Sequence, residues 1–260
     1  MLNFCSLYSG SSGNSLFVQS NNTNILIDAG VSCKKIVNAL ESIDIKANSI
    51  SAILVTHEHK DHILGLSTLS KKYNIPVYAN ELTWKALDIN KFNSNNIKIY
   101  NPDETFNIND ISVHPFRIPH DAADPCGFNI SIDDSKISIA TDLGYIDNNI
   151  MSYLKDSSFV LLESNYDPEV LKYSSYPASL KRRILGPEGH LSNNTAAQVI
   201  AMLFNYGLKS AMLGHLSKET NFPELAYRTV LNELYSNNIT ENDISLCVAS
   251  RFEPSKIINI

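Results

Sequence analysis

The sequence predicts a mixed α/β protein. Short runs of apolar, β-branched residues recur along the whole chain, and turn residues or polar residues bound most of them, as is typical of strands. Between these runs lie segments in which apolar residues recur at helical spacing, such as residues 195–205. The 260 residues, of which 43% are hydrophobic, can bury a core for one large domain or two small ones.

The first half of the chain is expected to be rich in short strands. Ser32 is a good N-cap, and the pattern that follows predicts a helix to about Leu40. Asp133 and Asp134 predict a hairpin turn between two of the strands. The predicted strands lie at about 2–8, 15–18, 25–28 and 53–55, near Val77 and Ile97, and at 111–116, 128–132 and 137–140.

The second half repeats this pattern with longer helices. A strand is expected at 159–163, a helix at 195–205, a strand at 211–213 and a helix at 223–234. The basic run Lys181-Arg182-Arg183 is expected on a further helix. Two strand-rich halves with helices favour a layered α/β architecture.

The segment from Thr56 to His62 carries the strongest functional signal. It places three imidazoles and two carboxylates within seven residues, between a buried strand and the start of a predicted helix. Histidine and carboxylate side chains are the usual ligands of zinc-like metals. His57 and His59 are two residues apart and can face one metal, whereas Asp61 and His62 could hold a second.

The pattern H-x-H-x-D-H resembles the signature of the metallo-β-lactamase fold in its dinuclear hydrolase branch. The resemblance implies further ligands downstream, each after a short apolar strand, and His120, Asp142 and His215 match them. It also implies a four-layer αββα sandwich that forms a single domain over residues 1–260.

The resemblance further implies a centre of two divalent metal ions, zinc or manganese, that activate a hydroxide for attack on the substrate. Asp61 would therefore take part in catalysis as well as in metal binding. The implied ligands are His57, His59 and His120 for the first ion, Asp61, His62 and His215 for the second, and Asp142 as the bridge.

Several segments are similar to the YycJ (WalJ) group, bacterial cytoplasmic metallohydrolases linked to exonuclease action on DNA. This resemblance implies a phosphodiesterase that acts on nucleic acid, most simply a DNA exonuclease of the cytoplasm. The segments that carry it are residues 9–15 (SGSSGNS), 120–125 (HDAADP), 141–145 (TDLGY), 163–167 (ESNYD) and 189–193 (GHLSN).

Further residues are candidates for catalysis and substrate binding. Glu163 and His190 resemble a Glu–His pair of phosphodiesterases of this fold, in which the histidine stabilises the transition state or protonates the leaving oxygen. His190 could instead be only a loop residue before a helix. Asn14, in the Ser/Gly-rich turn, is a candidate for phosphate binding, although such a turn needs no ligand.

Lys181, Arg182 and Arg183 are candidates for contact with the phosphate backbone, although such a run is usually a solvated helix face. The net charge of −6 argues against a broadly basic surface for nucleic acid. A small-molecule metallohydrolase, such as a thioesterase, lactonase or cyclic phosphodiesterase, is therefore an alternative. A metal-binding regulatory module with little turnover is a third reading.

The composition also bears on location. The four cysteines show no C-x-x-C pairing and are expected to be reduced thiols. No basic segment followed by an apolar run begins the sequence, and no apolar run is long enough to cross a bilayer. These features predict a cytoplasmic protein without a membrane partner and count against an exported antibiotic-degrading lactamase.

Overall fold

The computed structural model describes residues 1–260 and contains two seven-stranded mixed sheets with helices on their flanks, which confirms the predicted mixed α/β class. The strands are β1 (Asn3–Tyr8), β2 (Ser15–Gln19), β3 (Asn24–Ile27), β4 (Ala52–Leu54), β5 (Val77–Ala79), β6 (Ile97–Ile99), β7 (Phe106–Ile108), β8 (Ile111–Arg117), β9 (Cys126–Ile132), β10 (Ser135–Ala140), β11 (Phe159–Glu163), β12 (Ser210–Gly214), β13 (Ser245–Val248) and β14 (Ile258–Asn259). The α-helices are α1 (Cys33–Glu41), α2 (Lys60–Ile63), α3 (Leu66–Tyr73), α4 (Glu81–Ala86), α5 (Asn148–Leu154), α6 (Pro168–Tyr173), α7 (Ala178–Leu185), α8 (Asn193–Phe204) and α9 (Pro223–Ser236).

The two sheets have different strand orders. The first runs β14-β1-β2-β3-β4-β5-β6, antiparallel up to β3 and parallel from β3 to β6. The second runs β13-β12-β11-β10-β9-β8-β7, with β10 to β13 parallel and β7 to β9 antiparallel. In a parallel sheet the carboxyl ends of all strands lie on one edge, where α/β folds place their functional loops.

The chain separates into two compact units. The first comprises residues 1–117, 122–135 and 250–260, and the second comprises residues 118–121 and 136–249. The prediction of a single domain over 1–260 stays a prediction.

The first unit has a core between its parallel strands and helices α1 and α3. Leu26 and Ile53 from the strands pack with Ile36 and Leu69 from the helices, all fully buried. Helix α1 begins as predicted, because the Ser32 side chain accepts a hydrogen bond from the Lys35 backbone N–H. This packing holds the end of β4, and the loop that follows it, on a rigid frame.

The second unit is built on the parallel strands β10 to β13. Every residue of β11 is buried, which is typical of a parallel strand covered on both faces. Helix α8 buries seven of its twelve residues. Since β10, β11 and β12 are parallel neighbours, the residues at their carboxyl ends share one edge of the sheet.

Most of the predicted elements are present, and β11 matches its predicted bounds. The helix after the H-x-H-x-D-H pattern begins earlier than predicted, at Lys60, and is interrupted before α3 at Gly65. Helices α4, α5 and α6 and the short strands β7, β13 and β14 were not predicted. No helix combines the length and the apolar character that spanning a membrane requires.

Candidate metal centre

The first unit gathers the H-x-H-x-D-H residues at the end of β4. The ring centroids of His57 and His59 are 4.6 Å apart, and those of His57 and His62 are 4.1 Å apart. His59 is the N-cap of α2, so Asp61 and His62 lie in its first turn. An Asp61 carboxylate oxygen lies 3.8 Å from Nε2 of His62. The short spacing along the chain thus becomes a compact cluster.

Asp28 and Thr56 fix the tautomers of two of these histidines. The Asp28 carboxylate accepts hydrogen bonds from Nδ1 of His62 (2.7 Å) and from the Thr56 hydroxyl (2.8 Å). Because the single hydroxyl proton of Thr56 is used on Asp28, the contact at 2.9 Å between Thr56 Oγ1 and His57 Nδ1 must be donated by His57. Both imidazoles therefore carry their proton on Nδ1 and their lone pair on Nε2.

The Ser/Gly-rich turn supports this cluster through Asn14. The Asn14 side chain accepts a hydrogen bond from Gly10 N–H and donates one to Nε2 of His62 (3.0 Å). Its backbone N–H donates to the Asp61 carbonyl oxygen (2.8 Å). Asn14 is only 6% exposed, and its hydrogen bonds fix the loop that carries Asp61 and His62. A metal bound at Nε2 of His62 would replace the hydrogen bond from the Asn14 amide to that atom.

The second unit also contains a cluster of four possible ligands. Asp142, Glu163, His190 and His215 each offer one ligand atom, and these atoms all lie within 4.8 Å of one another. They come from the ends of β10, β11 and β12 and from the loop before α8. Asp142 and His215 have left-handed backbones, with φ of 61° and 54°, a conformation that is uncommon outside glycine but is adopted by Asp and His more often than by most other residues.

Glu163 is the centre of this cluster and is fully buried. One of its carboxylate oxygens accepts hydrogen bonds from Nδ1 of His215 (2.7 Å) and Nδ1 of His190 (2.9 Å), while the other accepts from the backbone N–H groups of Leu143 and Leu191. Burial alone would raise the pKa of Glu163, but the charges and hydrogen bonds of the two histidines lower it to about 2. The side chain is thus held as a carboxylate at neutral pH and orients two imidazoles.

His120 stands beside this cluster in the same unit. Its Nδ1 donates to the Gly189 carbonyl oxygen (3.2 Å), and its Nε2 lies 3.8 Å from Asp142. Burial lowers its pKa, and the nearby Asp142 carboxylate opposes this effect. A Cβ on Gly189 would lie 2.2 Å from the Ile184 carbonyl oxygen, so only glycine brings this loop so close to α7.

The donor chemistry of both clusters fits divalent metal ions. A metal-bound histidine almost always donates its second ring nitrogen to an oxygen acceptor, which fixes the ring and its tautomer. Four histidines of the predicted ligand set show this arrangement at Nδ1. Their acceptors are Thr56 for His57, Asp28 for His62, Gly189 for His120 and Glu163 for His215.

The basic run lies on α7, as predicted, but its three side chains differ in their contacts. Arg183 makes a bidentate ion pair with Asp121, at 2.6 and 2.9 Å. Lys181 donates to two backbone carbonyl oxygens at the end of α6. Arg182 is exposed and makes only a long hydrogen bond to the Ala178 carbonyl oxygen. The three side chains therefore differ in how far their charges are paired within the protein, and their contact with a phosphate backbone stays a prediction.

Sequence reasoning singled out Asn14 and Glu163 but missed two other residues that hold the predicted ligands. One of them is Asp28, which directly follows β3 as Asp142 follows β10. An acidic residue just after the carboxyl end of a strand is the sequence signal that could have identified Asp28. Asn165, which donates to the His215 carbonyl oxygen (2.8 Å), lies in the quoted segment 163–167 but was not singled out.

Comparison with known proteins gives consistent results. The model of the "Beta-lactamase superfamily domain" matches residues 23–216. Exodeoxyribonuclease WalJ of Streptococcus pneumoniae strain D39 is 39% identical over 88% of this chain and 86% of its own length. Exodeoxyribonuclease YycJ of Bacillus anthracis is 38% identical over 88% of each chain.

Among solved structures, the metallo-β-lactamase fold protein YhfI from Bacillus subtilis superposes with a TM-score of 0.73. It is 12% identical, and the match covers 98% of this chain and 100% of that one. Such low identity bears on the fold alone. The predicted metallo-β-lactamase sandwich and the predicted resemblance to the WalJ/YycJ group are both confirmed.

Proposed function

The chain belongs to the beta-lactamase superfamily, and we propose that it is a metal-dependent phosphodiesterase that removes nucleotides from the ends of DNA. Its relatives at 38–39% identity are exodeoxyribonucleases, and the match covers most of each chain. The observation that carries the proposal is the set of histidines whose Nδ1 atoms are held by oxygen acceptors in both units. A protein that had the same fold but bound no metal would not need buried histidines with their Nδ1 atoms paired in this way.

We propose that the chain binds two divalent ions, zinc or manganese, which lower the pKa of a bound water and stabilise negative charge on the attacking and leaving oxygens. The order of ligands along the sequence, and the tautomers described above, support this assignment. The residues that would hold the ions are His57, His59 and His120 for the first, Asp61, His62 and His215 for the second, and Asp142 for both.

His190 is the proposed acid for the leaving oxygen. Its Nδ1 is bound to Glu163, so a second proton would reside on Nε2, and 12% of the side chain is exposed to receive a substrate. Glu163 is a positioning residue, because its carboxylate is fully buried and accepts the hydrogen bond from Nδ1 of His190. In the first unit, the backbone N–H of Asn14 donates a hydrogen bond to the carbonyl oxygen of Asp61 and so fixes the loop that carries this proposed ligand.

DNA is the proposed substrate and the cytoplasm the proposed location. The chain is acidic, with a net charge of −6, so attraction of DNA over long distances would be weak. Contact with the polymer must then depend on the metal ions and on a few local basic side chains.

The test is degradation of 5′- and 3′-end-labelled linear DNA and of closed circular DNA by protein loaded with zinc or manganese. An exonuclease shortens the linear DNA progressively and leaves the circle intact. His59→Ala and Asp142→Asn should each abolish the activity. His114→Ala is a matched control, because His114 contacts Thr105 and belongs to neither cluster, so this variant should retain activity.

Two outcomes would contradict the proposal. Cleavage of circular DNA at a rate equal to that of linear DNA would make the protein an endonuclease. Loss of all nucleic-acid cleavage, with rapid hydrolysis of a thioester or lactone by the same preparation, would favour the small-molecule alternative.

A further inference from the structure

We infer that helices α6 and α7 form a binding platform for single-stranded nucleic acid, on which Tyr173 stacks against a base and Lys181 and Arg182 contact phosphates. The inference rests on the proposed function and extends it, because it names the strand state of the substrate and the residues that select it. The platform lies within the second unit and comprises residues 168–185.

The aromatic element of the platform is Tyr173, the last residue of α6. Its side chain is 77% exposed, among the highest values of any large apolar residue in the chain. The Lys172 ammonium group lies 5.0 Å from the centroid of the ring. An exposed ring next to a cation is the combination with which proteins bind single strands, since every base has a face that can stack and every nucleotide has a phosphate.

The charge of the platform is opposite to that of the chain. Residues 168–185 contain four basic side chains and one acidic side chain, whereas the whole protein has a net charge of −6. Arg183 is paired with Asp121 and Lys172 lies 3.5 Å from Glu169, so Lys181 and Arg182 carry the unpaired positive charge. Lys181 Nζ donates to the carbonyl oxygens of Lys172 (2.7 Å) and Ser174 (2.8 Å), which places its ammonium group beside the residues that flank Tyr173. Arg182 is exposed and has no carboxylate partner. This charge complements a polyanion locally.

Helix α7 connects the platform to the histidine cluster of the same unit. Near its other end, Arg183 is held by Asp121, the neighbour of His120. The backbone N–H of His190 donates a hydrogen bond to the Ile184 carbonyl oxygen (3.1 Å). A strand that lies along α7 from Tyr173 would therefore be directed towards His120 and His190. Arg183, neutralised by Asp121, positions this end of the helix and is not the main phosphate contact.

The platform is held by a small apolar cluster of its own. Tyr166, Leu171 and Ile184 are buried there, and Tyr176 and Leu180 pack against them. Neither Tyr173 nor Arg182 belongs to this cluster, so their replacement should leave the helices in place. Duplex DNA does not fit the same role, because its bases are already stacked on one another and present no free face to Tyr173.

Binding of a phosphorothioate-linked single strand of twelve thymidines, which resists hydrolysis, tests the inference when measured by fluorescence anisotropy with the metal-loaded enzyme. Tyr173→Ala should weaken binding about 5- to 160-fold, the range expected for loss of one stacked base. Tyr173→Phe, which keeps the ring, should bind within about twofold of the wild type. Arg182→Glu should weaken binding and reduce the slope of log K against log salt by about 0.7 or more.

Tyr206→Ala is the matched control, because Tyr206 is 45% exposed and lies 4.2 Å from the Lys155 ammonium group but is outside the platform. It should bind like the wild type. Equal binding by Tyr173→Ala and wild type would overturn the inference. So would an equal loss by Tyr173→Ala on a twelve-base-pair duplex, since the surface would then not select single strands.

Hydrolysis of bis(p-nitrophenyl) phosphate separates this inference from the proposed function. Tyr173→Ala should hydrolyse this small diester at the wild-type rate, because Tyr173 is not among the proposed ligands. If the wild type degrades DNA and Tyr173→Ala degrades single strands equally well, only the platform is wrong. If the wild type cleaves neither DNA nor the diester, the proposed function itself is wrong, whatever the binding shows.

Discussion

Replacement of Asn221 by alanine should destabilise the protein through loss of a buried amide network. Asn221 is 6% exposed, and its Nδ2 donates to the carbonyl oxygens of Ser164 (2.8 Å) and Asn165 (3.1 Å) and to Oδ1 of Asn193 (2.8 Å). Ser164 and Asn165 directly follow Glu163, and Asn193 begins α8. The amide of Asn221 thus ties together the loops that carry Glu163 and the start of α8.

The expected size of the effect follows from these contacts. The two protons of Nδ2 are shared among these three acceptors, and Oδ1 accepts a hydrogen bond from Asn193 Nδ2 (3.1 Å). A net contribution of about 1 kcal/mol for each of the two protons and for the bond to Oδ1 gives a loss of about 3 kcal/mol in the free energy of unfolding. For a protein of this length, that loss lowers the thermal midpoint by about 6–12 °C. Asn221→Asp, which keeps the shape but loses the two amide protons and adds a buried charge, should be destabilised at least as much.

Urea unfolding followed by circular dichroism measures this loss. Asn237→Ala is the control, since Asn237 also donates to a backbone carbonyl oxygen, that of Glu233 (2.8 Å), but does so at the exposed end of α9. The control should lose less than about 0.5 kcal/mol. A loss below about 1 kcal/mol in Asn221→Ala would show that the amide network does not stabilise the loops.

Three further variants or treatments have defined outcomes. The hydrogen bond from Thr23 lowers the pKa of Asp110, so the ionised carboxylate stabilises the folded protein at neutral pH. This stabilisation is lost as the pH falls through the lowered pKa. The loss of thermal stability in Asp110→Asn should therefore be largest at pH 7 and shrink towards pH 3. Burial raises the pKa of Cys126 to about 12, so iodoacetamide at pH 8 should modify the partly exposed Cys33 first and Cys126 only after unfolding, as mass spectrometry can show. Gly30→Ala would place a Cβ 1.6 Å from a backbone oxygen of α2, and calorimetry should show a loss of about 3 kcal/mol or more.

The sequence predicted elements whose pattern is local and missed those that depend on distant partners. Strand β11 and helix α1 have an apolar run and an N-cap that can be read within a few residues. Strand β14 has two residues and exists because it pairs with β1, some 250 positions away. Helix α6 has six residues and is too short for periodicity to reveal.

The same distinction applies to the candidate site. The ligand residues were predicted because the spacing of His57, His59 and His62 resembles a known pattern. Asp28 was missed because its hydrogen bond to His62 joins residues 34 positions apart. The left-handed backbone of His215 was not predicted either, because histidine adopts this conformation more often than most residues but still in a small minority of cases, so the surrounding structure selects it.

The metal content of the purified protein, measured by mass spectrometry after reloading with excess zinc or manganese, tests the proposed centre most directly. Two ions per chain are expected for the wild type, and one for His59→Ala and for His215→Ala, because each variant removes a proposed ligand of only one ion. His114→Ala should keep both. A wild-type stoichiometry that never exceeds one ion per chain would contradict the dinuclear centre.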